Sequence, residues 1–488
     1  FTGAGAFVLD PKTGELTPLP GLLDEACRTS RINAALALPD GSVAIGSASQ
    51  GLFFLSADLR HVRRLDRTSG LADNAIISLA NDNEGGLWIG YNSGLARISV
   101  ASAVTVFDGT NGPTPGTIDV WGRHDGRLYA GTYDGLYRLE PHTTPGHGAR
   151  LVRINDKVTH IFGLESYDGS LLIAETNGLH RLRDDDTAEL LVSTGINNPY
   201  CLVRSTRIPG RFYIGGGRGL TVVQHDAAGW HVIGQKLDIG DAHTALIDEH
   251  GDLWLACYNS GFWRVPDVDS ITDWSQVTYE QYYNGRGIPP GITWTNVTPG
   301  ARGPVFFSGR GIQRFDRARN EFIPEDRYVT ANEGALMITP TVASGVDTWA
   351  SAFKDSTIAA FSPLGRLRPQ PDGSLRWQAA PQEVLQEVGF AGAAVMWIDH
   401  TADGDVLWAR GYNNTIRLEL AALPKTAPAW KTIIRHATAN GHRSVAHDDA
   451  RFPFSRSPLI FELAAPHLSA IDGLRFQTRL LGYDDAWS

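Results

Sequence analysis

The segment IISLANDNEGGLWIGYNSGLARI, from Ile76 to Ile98, decides the fold of this chain. Three short runs rich in apolar, β-branched and aromatic residues are separated by two polar turns, which end at Gly85 and Gly94. Runs of this length with turn glycines between them indicate antiparallel strands joined by tight hairpins. The same order of strands and turns recurs at Asp119–Leu139, Thr159–Leu182 and Thr244–Val265, and more weakly near residues 34–55, 201–223, 296–315, 338–361 and 395–418.

The glycines of the first turn set the period of this repeat. Gly41, Gly85, Gly126, Gly169, Gly210 and Gly251 are spaced 44, 41, 43, 41 and 41 residues apart, and Gly303, Gly345 and Gly404 follow at 52, 42 and 59. A period of about 40–45 residues with several strands per unit is typical of propeller blades. The sequence therefore predicts an all-β protein in which residues 1–425 form a β-propeller of about nine four-stranded repeats.

The number of repeats leaves two arrangements open. About nine repeats exceed the usual ~4–8 blades of one ring, so they form either one large ring or one complete ring plus part of another. The N-terminal segment FTGAGAFVLDPKTGEL reads as the middle of a repeat. We expect it to complete a blade with strands from elsewhere or from chain that precedes it.

A large aromatic residue recurs at the same place in the second strand of the repeats. An aromatic repeated in this way normally supplies packing area between neighbouring units. We therefore predict that Trp88 and Trp254 are largely buried between blades. The equivalent positions carry Trp88, Trp254, Trp349, Trp408, Tyr129 and Tyr213.

Charge and composition narrow the possible partners. The formal net charge is −10, and Lys and Arg do not cluster, which argues against a nucleic-acid partner. The apolar runs are all shorter than the ~18 residues of a membrane span. The three cysteines are too few for a disulfide framework and lack a metal-binding spacing.

Candidate sites for catalysis and metal binding are weak. The histidines lack metal spacing, and the turn Asp184–Asp186 lacks the glycine and glutamate of a calcium loop. The glycine-rich segment 215–219 falls at the second turn of a repeat instead of opening a helix, so it does not predict a phosphate site. We predict no catalytic residue, no metal ligand and no cofactor.

A ligand site is favoured at the second turns and at the connections between blades. In a propeller these segments lie on one face around the central channel, so their side chains can encircle one ligand. Aromatic rings beside amides and arginines suit sugars, because rings cover apolar sugar faces while amides and guanidinium groups bond hydroxyls and carboxylates. The predicted ligand-binding residues are Tyr91, Asn92, Tyr133, Asp134, Asn177, Arg218, His243, Tyr258, Asn259, Trp294, Arg310, Tyr412 and Asn413. Ordinary turn chemistry and blade packing are the other reading of these positions.

Two motifs carry a family resemblance. The sequence D-x-x-G-x-LWIG-x-x-x-GL-x-R, present from Asp82 to Arg97 and preceded by Gly70–Asn74, resembles the two-component-regulator propeller (Reg_prop) repeat. The end of the chain, Phe461–Ser488, is similar to the opening of a Y-Y-Y domain, an immunoglobulin-like β-sandwich, through the segment from Arg479 to Trp487. Residues 426–488 are therefore expected to be a linker and the start of that sandwich, with Tyr483 and Trp487 belonging to it.

The resemblance implies a function as well as a fold. It implies the periplasmic sensor region of a bacterial inner-membrane signalling protein, which binds a small molecule or an oligosaccharide at the propeller face and signals through the Y-Y-Y domain. It further implies a homodimer in the full-length protein, with the membrane reached only through segments that follow this sequence. The alternatives are a non-enzymatic scaffold for protein interactions and, third, a propeller lyase or lactonase.

Overall fold

The computed structural model of the chain is almost entirely β-structure. It describes residues 5–488 except 20, 101, 115, 142–147, 196, 238, 293, 301–302, 309–310, 330–336, 354–363, 381–384, 386–387, 391, 424–431, 440, 446–450, 452–455, 457, 466–475, 483 and 487–488. The chain divides into two compact units. The first comprises Phe1–Val62, Asp66–Ser102 and Leu423–Ser488, and the second comprises Ala103–Ala422 with Arg63–Leu65.

The first unit begins with a hairpin, a helix and two sheets of the propeller type. Its elements are β1 (Phe7–Leu9), β2 (Leu16–Pro18), α1 (Leu22–Thr29), β3 (Ile32–Ala37), β4 (Val43–Ser47), β5 (Leu52–Leu55), β6 (Val62–Leu65), β7 (Ser78–Asn81), β8 (Gly86–Tyr91) and β9 (Gly94–Ser99). Strands β1 and β2 pair with each other, β3–β6 form a four-stranded sheet, and β7–β9 form a three-stranded one. Helix α1 packs Leu23 and Ala26 against Phe53 and Leu55 of β5.

The second unit contains seven sheets, which account for the central run of repeats. The first strand, β10 (Val104–Phe107), belongs to the last sheet. The first three sheets comprise β11 (Ile118–His124), β12 (Arg127–Thr132), β13 (Gly135–Glu140), β14 (Arg150–Asn155), β15 (Gly163–Tyr167), β16 (Ser170–Glu175), β17 (Gly178–Leu182), β18 (Ala188–Val192), β19 (Cys201–Arg204), β20 (Arg211–Gly216), β21 (Gly219–Asp226) and β22 (Gly229–Leu237). The others comprise β23 (Asp241–Ile247), β24 (Leu253–Tyr258), β25 (Gly261–Val265), β26 (Glu280–Tyr282), β27 (Thr295–Thr298), β28 (Val305–Ser308), β29 (Gly311–Asp316), β30 (Glu321–Pro324), β31 (Tyr328–Val329), β32 (Met337–Ser344), β33 (Asp347–Phe353), β34 (Leu364–Pro369), β35 (Leu375–Ala379), β36 (Val395–Thr401), β37 (Gly404–Arg410) and β38 (Thr415–Glu419).

These seven sheets close into a ring. Five of them are consecutive four-stranded antiparallel sheets, β11–β14 to β27–β30, and a sixth adds β31 as a parallel edge strand beside β35. The first strands of the sheets, β11, β15, β19, β23, β27, β32 and β36, contact one another in this order, and β36 also contacts β11. The second unit is therefore a complete seven-bladed β-propeller.

The ring is closed by a strand from the opposite end of its own sequence. Strand β10 pairs antiparallel with β38, so that Val104 faces Leu418 and Phe107 faces Thr415. The last blade thus takes three strands from residues 395–419 and its fourth from residues 104–107. Of the two predicted arrangements, the structure shows a complete ring together with further propeller-type sheets, and one large ring is excluded.

Because β10 belongs to the ring, sheet β7–β9 has three strands and an open edge at β9. Leu95 of β9 is 73% exposed, whereas Leu136, Leu179 and Leu220, which follow the equivalent glycines in complete blades, are fully buried. A side chain at Gly178 would lie 2.2 Å from the carbonyl oxygen of Val192 in the fourth strand, whereas the space around Gly94 is open. The glycine at this position therefore makes room for a fourth strand.

The repeated Asp–Trp–Arg pattern has a structural explanation. In sheet β7–β9, Asp82 accepts hydrogen bonds from the indole Nε1 of Trp88 at 3.0 Å and from Nε of Arg97 at 2.7 Å. Its other oxygen accepts from the backbone N–H groups of Glu84 and Gly86, which shapes the first turn. In sheet β23–β26, Asp248 bonds Trp254 in the same way at 2.9 Å. The carboxylate thus holds the turn, the aromatic and, at Asp82, the third strand together.

The prediction that the repeated aromatics are buried is confirmed at five positions. Trp254, Trp349, Trp408, Tyr129 and Tyr213 are all at most 3% exposed. Trp88, in the three-stranded sheet β7–β9, is less buried than these five and falls in the intermediate range of exposure. Four of them pack against residues of an adjacent blade, for example Trp254 against Val297 and Phe306 and Tyr129 against Leu164 and Ile173.

The end of the chain forms a sheet of its own. Strands β39 (Ile433–Ala439), β40 (His442–Val445) and β41 (Ile460–Ala464) pair antiparallel in the order β40–β39–β41. Tyr483 and Trp487 lie outside the described residues. The assignment of residues 426–488 to a linker and the start of an immunoglobulin-like sandwich therefore stays a prediction.

Candidate ligand-binding face

The second turns and the connections between blades meet at one end of the ring. The backbone N–H of His160, in the connection after β14, donates to the carbonyl oxygen of Tyr133 in the second turn of sheet β11–β14 at 3.1 Å. The N–H of Gly217, in the second turn of sheet β19–β22, donates to the carbonyl oxygen of Asn197 at 2.7 Å. Asn197 lies in the connection between β18 and β19. We call this end, formed by the second turns and by the connections near residues 116–119, 158–162, 197–200, 240–243 and 292–294, the second-turn face.

Three exposed tyrosines lie at second turns of the ring, on the second-turn face. Tyr133 and Tyr258 are equivalent, because each directly follows the residue that makes the last pair between the second and third strands, Thr132 with Gly135 and Cys257 with Gly261. Tyr412 lies one position further into its turn, since the last pair there is Arg410 with Thr415. The three side chains are 59%, 43% and 47% exposed. Their rings are therefore available to a ligand. Asn177, Arg218, Asn259 and Asn413 lie exposed in second turns of the ring as well.

Tyr91 differs from Tyr133 and Tyr258 by one position in the repeat. It pairs with Gly94, so that its counterparts in the ring are Thr132 and Glu175, which pair with Gly135 and Gly178. A shift of one residue along a strand turns the side chain to the opposite side of the sheet. Tyr91 is accordingly buried at 8% exposure, and the sequence-based expectation of an exposed ring was wrong. Tyr91 and Asn92 also belong to the first unit, so they are not part of the ring's second-turn face.

The remaining predicted site residues have different environments. Asp134 is held locally, since it accepts hydrogen bonds from Thr132 Oγ1 at 2.7 Å and from the hydroxyl of Tyr137 at 3.2 Å. Trp294 is partly exposed in the connection before β27. Arg310 lies outside the described residues. Among the second-turn Asn and Asp residues described, only Asn259 has a left-handed backbone, with φ 55°.

An arc of aromatic and imidazole rings runs along the second-turn face. Tyr133 packs on His160 with ring centroids 3.9 Å apart. Further round, Tyr200 contacts Phe162 at 5.0 Å and stacks on His243 at 5.0 Å with an interplanar angle of 29°. Tyr258 then meets His243 edge-on at 5.8 Å. The arc therefore spans four consecutive blades of the ring.

Two residues of the arc carry features that are uncommon in purely structural positions. The backbone of His160 is left-handed, with φ 54°, which is unfavourable for a residue with a side chain and is concentrated at functional sites. Burial lowers the pKa of His243, and the nearby Asp241 opposes this effect only in part. His243 is therefore neutral at neutral pH, and its Nε2 is buried without a hydrogen-bond partner among the described residues.

A charged pair continues the arc across the junction of the first and last blades. Arg410, at the end of β37, donates from Nη1 to the carbonyl oxygen of Gly116 at 2.7 Å and lies 3.4 Å from Asp119 Oδ1. Asp119 also interacts electrostatically with His160. The aromatic rings of the arc thus lie beside a carboxylate and a guanidinium group. This arrangement suits a polyhydroxylated ligand, because rings can cover its apolar faces while the charged groups bond its hydroxyls.

Sequence reasoning missed Asp119, His160, Tyr200 and Arg410. Three of them lie at the beginning of inner strands or in connections, where the repeat has no fixed residue type. Arg410 could have been found from the repeat, because LWAR at Leu407–Arg410 replaces LWIG at Leu87–Gly90. An arginine at this position extends from the end of the strand toward the second-turn face.

The opposite end of the ring carries a polar cleft of about 820 Å³ between sheets β11–β14 and β15–β18. Its walls include His124, Arg127 and Arg181 and the acidic turn Asp184–Asp186. Many of these charges pair locally, as Arg181 does with Glu189 and Asp186 with Arg138. Over the part of the chain that the structure describes, no group of three His, Cys, Asp or Glu side chains is arranged to hold a metal ion, and no helix is long and apolar enough to cross a membrane.

Comparison with known proteins agrees with the fold. Residues 70–93 match the model of the two component regulator propeller family, so the chain carries a repeat of this family in the segment that contains β7 and β8. No curated protein sequence matches the chain.

Two extracellular domains of known structure that resemble this chain are longer than it. The extracellular domain of BT3049 from B. thetaiotaomicron, designated a hybrid two component system, is 15% identical, with a TM-score of 0.62 over 93% of this chain and 59% of that domain. The extracellular domain of BT4673 from the same organism is 15% identical, with a TM-score of 0.49 over 92% of this chain and 60% of that one. The chain thus spans less than two thirds of these domains, and the first likeness shows a shared propeller fold.

Proposed function

We propose that this chain is the periplasmic sensor region of a bacterial transmembrane signalling protein, and that the second-turn face of its ring binds an oligosaccharide. The observation that carries the proposal is the arc of rings from Tyr133 to Tyr258, which ends beside the charged pair of Asp119 and Arg410. Turn chemistry alone does not require exposed tyrosines in three second turns of the ring.

The comparisons support the signalling part of this proposal. The chain carries a two-component-regulator propeller repeat, and it shares its fold with an extracellular domain of a system designated as hybrid two-component. In such a protein the sheet β39–β41 and the residues after it form the start of a Y-Y-Y domain, which passes the signal from a homodimeric sensor to the membrane. The propeller itself needs no catalytic residue for this role.

Calorimetric titration of the 488-residue chain with a panel of neutral and acidic oligosaccharides tests the binding proposal. We expect at least one of them to bind the wild type, and Tyr258→Ala to weaken this binding by about tenfold, because truncating an aromatic anchor removes about 1–3 kcal/mol. The matched control is Arg127→Ala, at an exposed first turn on the opposite end of the ring, which should bind normally.

Two outcomes would count against the proposal. If the wild type bound no oligosaccharide of a broad panel, a scaffold for protein interactions would be the better description. If Tyr258→Ala and Arg127→Ala bound equally well, the ligand would lie elsewhere on the molecule.

A further inference from the structure

Asp119 and Arg410 meet at the junction of the first and last blades of the ring, on the second-turn face. Asp119 lies near the start of β11 and Arg410 at the end of β37. Their side chains are 21% and 18% exposed, so both charged groups have lost most of their water. Tyr412 lies two residues after Arg410 in the second turn, and its ring is exposed.

The hydrogen-bonding capacity of this pair is only partly used. A carboxylate can accept about four hydrogen bonds, yet among the described residues Asp119 accepts a single long one of 3.4 Å, from Nη1 of Arg410. In Arg410, Nη1 is taken by Gly116 and Asp119, whereas the buried Nε finds no partner among the described residues. Burial raises the pKa of Asp119 and lowers that of Arg410, each against the influence of the partner. Both groups would gain from further hydrogen bonds.

Neighbouring hydroxyl groups match these requirements better than a charged ligand does. One hydroxyl can donate to the carboxylate while the next accepts from the guanidinium group, since a hydroxyl both donates and accepts. A ligand carboxylate could only accept, and it would face repulsion from Asp119. A ligand ammonium group would face the same difficulty with Arg410. The pair has no net charge, so it offers no attraction to an anion as such.

We propose that Asp119 and Arg410 bind two adjacent hydroxyl groups of a neutral sugar, and thereby make the second-turn face select neutral oligosaccharides over those built from uronic acids. The inference rests on the proposed function, because it assigns the ligand class of the same face. Tyr133, which packs on His160, and Tyr412, two residues after Arg410, are both exposed and supply the rings that would cover the apolar faces of the sugar.

The test compares ligands that differ only in charge. Short oligogalacturonides and their fully methyl-esterified forms, together with the corresponding galacto-oligosaccharides, are titrated into the 488-residue chain by calorimetry. We expect the neutral compounds to bind at least about tenfold more tightly than the free acids. Asp119→Asn should weaken the binding of the neutral compounds by about tenfold, because it removes one strong acceptor. It should also reduce the difference in affinity between neutral compounds and acids, because it removes the charge that repels the acids.

Matched controls separate the possible outcomes. Glu419→Gln removes a negative charge from the same blade as Arg410, at an exposed pair with Arg417, and should leave the preference unchanged. Tighter binding of the free acids, or unchanged binding in Asp119→Asn, would overturn this inference while leaving the proposed function standing. Absence of binding for every sugar would overturn both. If Asp119→Asn failed to fold, the comparison of acids with esters on the wild type would still decide.

Discussion

Arg123 and Asp399 form a two-point ion pair across the junction of the first and last blades, although they are 276 residues apart in sequence. Nε of Arg123 donates to Asp399 Oδ1 at 2.8 Å, and Nη2 donates to Oδ2. The pair lies between the inner strands β11 and β36, and Asp399 is almost fully buried. Together with the pairing of β10 and β38, it fastens the closed ring at the point where the chain enters and leaves it.

Removal of this carboxylate should destabilise the ring. Asp399→Ala leaves a partly buried guanidinium group without its partner, and we expect the free energy of unfolding to fall by about 2–3 kcal/mol, somewhat below the cost for a fully buried pair because Arg123 can regain some water. Glu419→Ala breaks an exposed pair in the last blade and should cost less than about 1 kcal/mol. Urea denaturation followed by circular dichroism measures both variants. If both variants lost the same free energy of unfolding, the ion pair at the junction would stabilise the protein no more than an exposed pair does.

The repeated aromatics differ in how much they stabilise the protein. Trp254→Ala should cost about 3–5 kcal/mol, because the indole is fully buried between two blades and bonds Asp248. Trp88→Ala should cost clearly less, since Trp88 is only partly buried in its three-stranded sheet. Thermal denaturation of the two variants checks the order. A larger effect at Trp88 than at Trp254 would contradict the packing described for the ring.

Protonation of Asp82 should lower the stability of the folded protein in acid. Burial alone would raise its pKa, but hydrogen bonds from Arg97 and from the N–H groups of Gly86 and Glu84 outweigh burial and lower the pKa to about 2. In the unfolded chain the pKa of Asp82 is 3.8. Ionised Asp82 therefore stabilises the folded state above about pH 4, and this stabilisation is lost as the pH falls from about 4 to 2. After allowance for solvent screening, we expect about 1–2 kcal/mol.

The measurement is the difference in unfolding free energy between the wild type and Asp82→Asn as a function of pH. The wild type should lose its advantage over the variant between pH 4 and pH 2. A difference that stays constant over this range would mean that the ionised form of Asp82 has no preferential role in the folded protein.

The blades could be predicted from the sequence because each is a local unit. The spacing of turn glycines such as Gly126 and Gly169 reports hairpins formed by residues close in sequence, with φ values of 72° and 68° in the structure. Closure of the ring is not local, because it joins Val104 to Leu418, and the short apolar run 104–107 gives no indication of which sheet it enters. The sequence alone therefore does not determine the number of rings.

The candidate site was only partly predictable for a similar reason. Three second-turn tyrosines were found from the repeat, yet Tyr91 was misplaced by one residue, because the length of a turn is not evident from the letters before its glycine. Asp119 and Arg410 are brought together by ring closure, so the sequence alone does not indicate that they are neighbours. Their role in binding remains the proposal stated above.

The most direct test of the account locates the ligand on the ring. Hydrogen–deuterium exchange with mass spectrometry is recorded on the wild type alone and with the neutral oligosaccharide that binds most tightly in the calorimetric panel. If the ligand binds the second-turn face, exchange will be slower at the connections 116–119, 158–162, 197–200 and 240–243, which carry Asp119, His160, Tyr200 and His243. Protection confined to the first-turn segments 124–127 and 168–170 and to the segment 183–186 between β17 and β18, which line the cleft at the opposite end, would contradict binding at the second-turn face.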